Sequence, residues 1–381
     1  MSKLRVLHVV TISFTLPYFI GNQFKYFKEK GVDYFVVASP SSHFLAYADE
    51  MSFKPFPIII SRTFSPIQDF KSILAVRKVI LENKIDLVIG HTPKGGLIAM
   101  IAAYISGLRN SVYVRHGIMF ETSKGLKRIL LIAVEKLTGA LAKKVVCVSP
   151  SILKISNKKN LSRHSKNFLL GRGTCNGING SRFNRLNIPT STINDLKLHY
   201  DIQPNELIVG FVGRIVNDKG INELYEAWQI VKKKLANVKL MLVGPFEERD
   251  GIPSDLKAKI IADKTIICTG LINDAAPFYA LMNVFVLPSY REGFPTVVLE
   301  ASAMELPILT TRVTGCQDAI VHQESGMFIS FEPNDIAQKI IDYLLNKTLA
   351  NQHGKNGRKF VLENFEEKIV WKDIETKLLT I

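Results

Sequence analysis

The run Val284-Phe285-Val286-Leu287 contains no polar residue and leads directly into PSYREGFPTVVLE, residues 288–300. A short apolar run bounded by turn residues is a strand covered on both faces, which belongs to a parallel sheet. No other feature constrains the fold class as tightly. Gly293 and Pro295 punctuate the following loop, and a helical pattern starts near Thr296 and carries through Leu299, Glu300, Ala301 and Met304. Pro295 suits a first helical turn, where its missing N–H costs nothing. The amides of about Phe294 to Val298 then lack intrahelical partners and are open to an anion or a polar sugar. Glu292 and Glu300 bracket that helix start. Aimed at an anion they would repel it; aimed to either side they accept hydroxyl hydrogens. The stretch therefore reads as a nucleotide-sugar site, with ribose on Glu300, hexose near Glu292 and diphosphate between them. A capped surface helix flanked by two glutamates reads the same in isolation, so the rest of the chain has to decide.

The first half repeats the strand–helix unit. Apolar strands are expected at 4–10, 33–38, 56–60, 86–90, 111–114 and 144–148, with helices between them. Such βα alternation gives a doubly wound parallel sheet, whose ligands sit beyond the carboxyl ends of the strands. His91 and His116 both fall there, each close to glycine. A neutral imidazole at such a place can hold a sugar hydroxyl, although a lone histidine is as readily a structural residue. The turn His91-Thr92-Pro93-Lys94-Gly95-Gly96 offers a cation and flexible backbone to an anionic acceptor. Turn-forming residues crowd 171–195, and the βα pattern then restarts with strands at 206–212, 239–244, 265–268 and 284–287. The expected division is 1–190, 191–361 and a C-terminal helix over 362–381. Arg214 and Lys219 lie on the glycine-rich loop GRIVNDKG after the first strand of the second domain. Paired cations on open backbone suit a diphosphate that gains charge as its bond to the sugar breaks.

Charge is unevenly distributed. Residues 1–190 carry a basic excess of 19 and residues 191–381 an acidic excess of 4, within a net charge of +15. Only the first half is therefore suited to a polyanion, whether nucleic acid, an anionic membrane or a lipid diphosphate. Within it, Lys124, Lys127, Arg128, Lys136, Lys143 and Lys144 punctuate an apolar helical pattern from Leu126 to Leu137. That pattern suits a helix lying on a bilayer, or equally a fold helix with a solvated basic face. Few aromatics are interleaved, which weighs against stacking on single-stranded nucleic acid. The four cysteines have no metal-type spacing and suit reduced thiols in a cytosol. No signal peptide or membrane-spanning run is expected.

GRIVNDKG at 213–220 together with EGFPTVVLE at 292–300 resembles family 4 of the retaining glycosyltransferases, whose signature is E-x7-E. The resemblance extends to RHG at 115–117, CNGING at 175–180 and TTRVTGCQDAI at 310–320. The last two segments look most like the branch that builds bacterial capsule, O-antigen and lipid-linked glycans. The resemblance implies a GT-B fold, two Rossmann-like domains facing a central cleft, with the acceptor on the first and the nucleotide sugar on the second. It implies that Arg214 and Lys219 grip the donor diphosphate near Gly213, and that Glu300 binds the ribose. Glu292 would contact the hexose with help from the backbone of Phe294, Pro295, Thr296 and Val297, and His116 would hold the same sugar. Leu271 and Ile272 would contact the base. Gly21 and Asn22, with His91 and Lys94, would face the acceptor. The family's first loop often carries paired glycines, where this chain has Thr11-Ile12-Ser13 and a single Gly21.

The implied reaction moves a hexose from a nucleotide sugar, UDP-linked by the branch resembled, to a saccharide on undecaprenyl diphosphate. No cofactor is expected. No Asp-x-Asp is present to hold a divalent ion, so no metal is expected either. The expected location is cytoplasmic, peripheral at the inner face of the plasma membrane. Two other classes share some of these features. A non-hydrolysing sugar-nucleotide epimerase has the same architecture but needs no basic acceptor surface. A nucleic-acid-binding protein would explain the charge but not Glu292 and Glu300.

Overall fold

The computed structural model describes residues 3–63 and 65–380. The chain forms two compact units, residues 1–177 with 367–381, and residues 178–366. Unit one is built on seven strands, β1 (Leu4–Ile12), β2 (Val32–Ser39), β3 (Lys54–Pro57), β4 (Leu87–His91), β5 (Ser111–Arg115), β6 (Lys144–Cys147) and β7 (Asn167–Phe168). Their order across the sheet is β3-β2-β1-β4-β5-β6-β7, and every neighbouring pair is parallel. Unit two has β8 (Leu207–Val212), β9 (Val238–Val243), β10 (Ile266–Gly270), β11 (Val284–Leu287), β12 (Ile308–Thr311) and β13 (Gly326–Ile329). These run β10-β9-β8-β11-β12-β13, again all parallel.

The central strands are apolar because helices cover both faces. Val6, Leu7, Val9 and Val10 of β1 and Val284, Phe285 and Val286 of β11 have no exposed surface. The covering helices bury one stripe each. Ile221–Lys234 buries Ile221, Leu224, Ala227, Trp228 and Val231, the spacing of a single helical face. Strand order reverses direction between β1 and β4 in unit one and between β8 and β11 in unit two. Such switch points leave a crevice beyond the carboxyl ends of the two strands.

Several elements differ from the sequence expectation, each for a local reason. The third strand is Lys54–Pro57, not 56–60, and its two prolines are tolerated because β3 is an edge strand. The turn expected at 91–96 is helical from Pro93 onward. Gly95 and Gly96 are buried there, and a Cβ on Gly96 would lie 2.4 Å from the Tyr113 ring. They permit close helix–sheet packing and give no flexibility to a ligand loop. The chain passes between units at 177/178 and 366/367, where composition placed boundaries at 190 and 361. Residues 178–190 pack on unit two: Arg185 donates to the Ala280 and Met282 carbonyls at 2.7 and 3.0 Å. The single helix expected over 362–381 is broken at Glu366, whose non-helical backbone separates Lys347–Phe365 from Glu367–Ile374. The latter helix returns to unit one, where Trp371 Nε1 donates to the Asn176 carbonyl at 3.0 Å. No helix among the described residues is long and apolar enough to cross a membrane.

Candidate active site

In unit two the switch point gathers the loops after β8 and β11. Gly220 ends the first loop with φ +69°, and a Cβ there would lie 2.1 Å from the Pro288 carbonyl oxygen of the second. Only glycine lets the two backbones touch in that conformation. Two ion pairs then join the loops. Lys219 Nζ lies 2.5 Å from Glu292 Oε1, and Arg291 Nη2 lies 2.9 Å from Asp218 Oδ2. Ser289 Oγ also donates to Glu292 Oε1, at 2.7 Å. The cation expected on the diphosphate and the carboxylate expected on the hexose are thus partners. Arg214 lies on the same loop and donates to Glu247 Oε2 at 2.8 Å, from beyond β9. The two side chains are 40% and 29% exposed, so this pair contributes at most about 1 kcal/mol and yields readily to a phosphate. The N–H of Gly213 is already bonded to the Val243 carbonyl at 2.9 Å.

The helix after Glu292 runs Thr296–Ala303 without a side-chain cap. Pro295 is its extended N-cap, not its first helical residue. Val298 N–H makes the bond to the Pro295 carbonyl, so the amides of Thr296 and Val297 precede the helical ladder. The Phe294 ring packs on Phe365, which fixes the approach to that turn. Glu300, one turn further, accepts from Tyr279 Oη at 2.9 Å, and the same hydroxyl reaches the Val297 carbonyl at 3.2 Å. Burial raises the Glu300 pKa, while the Tyr279 hydrogen bond and the Arg182 charge oppose that rise. Leu271 and Ile272 follow β10, with Leu271 exposed and Ile272 packed against the core. Tyr279 was not visible as a site residue because it lies twenty-one positions from Glu300 and on another helix. Replacing Tyr279 with phenylalanine is expected to raise the donor KM about fivefold with kcat within twofold, since one hydrogen bond to a charged group is lost. Initial-rate kinetics over a donor series measure this.

In unit one, His91 and His116 come together, but neither is open on every side. His91 is 3% exposed, and both its ring nitrogens are engaged, Nε2 with His8 Nδ1 and Nδ1 with His116 Nε2. Its ring is thus held between those of His8 and His116. Phe19 stacks on His116 at a centroid distance of 3.7 Å. Lys94 sits in the first helical turn and is paired with Asp69. Gly21 is buried against the Pro17 carbonyl, while Asn22 is exposed at the N-cap of Gln23–Glu29. Gln23, unremarked in the sequence, donates to the Cys175 carbonyl and Asn176 Oδ1 at 3.0 and 2.8 Å and so anchors the first loop. Thr92, before the helix, has φ +65° and ψ 159°. A β-branched residue there stores about 1–3 kcal/mol of strain, a mark of functional sites.

Residues 19–164 match the family described as Glycosyltransferase Family 4, and residues 206–346 match Glycosyl transferases group 1. The chain is 33% identical to the capsular polysaccharide biosynthesis glycosyltransferase CapM of Staphylococcus aureus, over 99% of this chain and 97% of that one. It is 25% identical to the Escherichia coli UDP-Gal:alpha-D-GlcNAc-diphosphoundecaprenol alpha-1,3-galactosyltransferase, over 96% and 94%. Among solved structures, Anabaena HepE in complex with UDP and glucose superposes with a TM-score of 0.83 at 16% identity, over 99% of this chain and 100% of that one. That likeness concerns the fold.

Proposed function

Because the chain belongs to glycosyltransferase family 4, we propose that it moves a hexose from a UDP-sugar to a saccharide on undecaprenyl diphosphate, with retention at the anomeric carbon, during assembly of a bacterial surface polysaccharide. The observation that carries this reading is the switch point of unit two. There Lys219 pairs with Glu292 on the loop that leads to the uncapped helix start, Arg214 lies on the same loop as Lys219, and Glu300 follows the helix start. On this reading the diphosphate draws Arg214 from Glu247 and lies against the amides of Thr296 and Val297. Glu300 accepts the ribose hydroxyls, Glu292 a hexose hydroxyl, and Leu271 and Ile272 flank the base. His116 offers its imidazole to a sugar hydroxyl.

The bond from the anomeric carbon to the departing phosphate oxygen breaks, and the acceptor oxygen forms its bond on the same face. The acceptor's hydroxyl proton passes to the departing diphosphate. Arg214, Lys219 and the helix start stabilise the charge that develops there, with no metal required. The test is a screen of UDP- and GDP-sugars for hydrolysis and transfer, with and without chelator. Expected are UDP-sugar turnover unaffected by chelator, weaker donor binding in Glu300→Ala, and a larger loss of kcat than of binding in Arg214→Ala. Activity that vanishes with chelator and returns with magnesium would sink the mechanism.

The acceptor's lipid calls for a membrane surface, and the helix Gly125–Leu141 supplies a suitable face. It is inverted for a fold helix: Glu135, Thr138 and Gly139 point inward, while Leu126, Ile129, Leu130 and Leu137 point out among Lys127, Arg128 and Lys136. Leu126 is 85% exposed. Apolar side chains ringed by cations bind anionic bilayers, each cation contributing about 1 kcal/mol. We therefore expect peripheral binding at the inner membrane face. Replacing Lys127 and Arg128 with glutamate should weaken co-sedimentation with anionic vesicles at least tenfold and leave neutral vesicles unaffected.

A further inference from the structure

Three adjacent strands of unit one deliver a histidine each to one line. His8 comes from β1, His91 ends β4 and His116 follows β5. His8 Nδ1 lies 2.9 Å from His91 Nε2, and His91 Nδ1 lies 2.9 Å from His116 Nε2. The first two rings are stacked at 23° and the second two tilted at 33°, with Phe19 laid over His91 and His116. Burial takes the His91 pKa down to about 3, and burial together with the neighbouring His91 holds His8 and His116 well below the ordinary value. All three rings are therefore neutral, and each carries a single N–H.

The links have a consequence for protons. Each joins a δ nitrogen of one ring to an ε nitrogen of the next. A link holds only when one of its nitrogens carries hydrogen and the other does not. The three rings must then share a tautomer, all protonated on Nδ1 or all on Nε2. One end of the row is His116 Nδ1, whose neighbour is the Cys175 sulfur at 3.9 Å, a weak partner that a hydroxyl outcompetes. At the other end His8 lines a cavity of about 20 Å³ with Gln23 and Tyr34, enough for about one water.

We propose that His8 and His91 are positioning residues for sugar transfer: through this row they dictate whether His116 meets a substrate hydroxyl as an N–H donor or as a bare acceptor. The proposal rests on the transferase reading for its substrate but not for its geometry. Its test uses the full chain labelled with ¹⁵N-histidine and long-range ¹H–¹⁵N correlation, which distinguishes the two tautomers ring by ring. One shared tautomer is expected for His8, His91 and His116. His8→Leu should convert His116 to the other tautomer or a mixture, and lower kcat about tenfold with donor KM within twofold. His8→Asn places an amide where Nδ1 stood, can donate or accept, and should restore kcat to within threefold of the parent. Circular dichroism confirms equal folding of both variants. Mixed tautomers in the active parent enzyme would overturn the row and leave the transferase reading intact, as would His8→Asn performing no better than His8→Leu. A shared tautomer in a chain that transfers no sugar would instead overturn the substrate assignment.

Discussion

Lys219→Ala is expected to lower kcat for transfer about 10²–10³-fold, the usual cost of removing one donor aimed at developing negative charge. Stability should fall as well. Lys219 and Glu292 have side chains only 14% and 13% exposed, so deleting the lysine strands a largely buried carboxylate. Breaking a fully buried pair costs about 3–5 kcal/mol, but here Ser289 still donates to Glu292, so about 2 kcal/mol is the better figure. In a unit of this size that corresponds to a midpoint lowered by about 4–8 °C. The double variant Lys219→Met with Glu292→Gln separates the two effects, because it removes the stranded charge. It should melt near the parent protein yet remain inactive. A Lys219→Ala enzyme that kept more than a tenth of its kcat would show that the leaving group is neutralised elsewhere.

Glu135→Leu should produce the largest loss of stability. Arg115 and Glu135 have side chains 0% and 4% exposed, joined Nε to Oε2 at 2.7 Å. Tyr113 donates to the other carboxylate oxygen at 3.0 Å, and Arg115 also bonds Ser156. Without Glu135 a guanidinium is left buried and unneutralised, at a cost of about 3–5 kcal/mol or roughly 10 °C in midpoint. Replacing both partners, Arg115→Met with Glu135→Leu, should recover most of that loss. Thermal and urea denaturation followed by circular dichroism compare the three proteins. A loss below about 1 kcal/mol in the single variant would mean that the pair is solvated.

The strand Val284–Leu287 was legible to the residue because four apolar positions bounded by Asn283 and Pro288 admit little else. The helix start at Thr296 and the strand-end positions of His91 and His116 were legible for similar reasons. β7, β12 and β13 were not: β7 has only two residues, β12 ends in two threonines and β13 begins with glycine, so none is an uninterrupted apolar run. Partners were the harder part. Glu247 meets Arg214 and Glu292 meets Lys219 only because β9 and β11 flank β8, and periodicity says nothing about strand order. His8 did leave a signal. A histidine inside LRVLHVVTI is a polar group in a buried strand and must have a partner. Which partner it has depends on β4 lying beside β1.

The crossing of the chain at Glu366 and Glu367 has a consequence for biosynthesis. On the ribosome, unit one is begun first and finished last. Its Trp371 anchor and the Ile374 and Leu378 side chains beside the His8 cavity emerge only after every strand of unit two has been made. A chain released after residue 366 would thus hold a completed second unit and an unfinished first one, the reverse of the usual order in which amino-terminal domains mature ahead of those that follow.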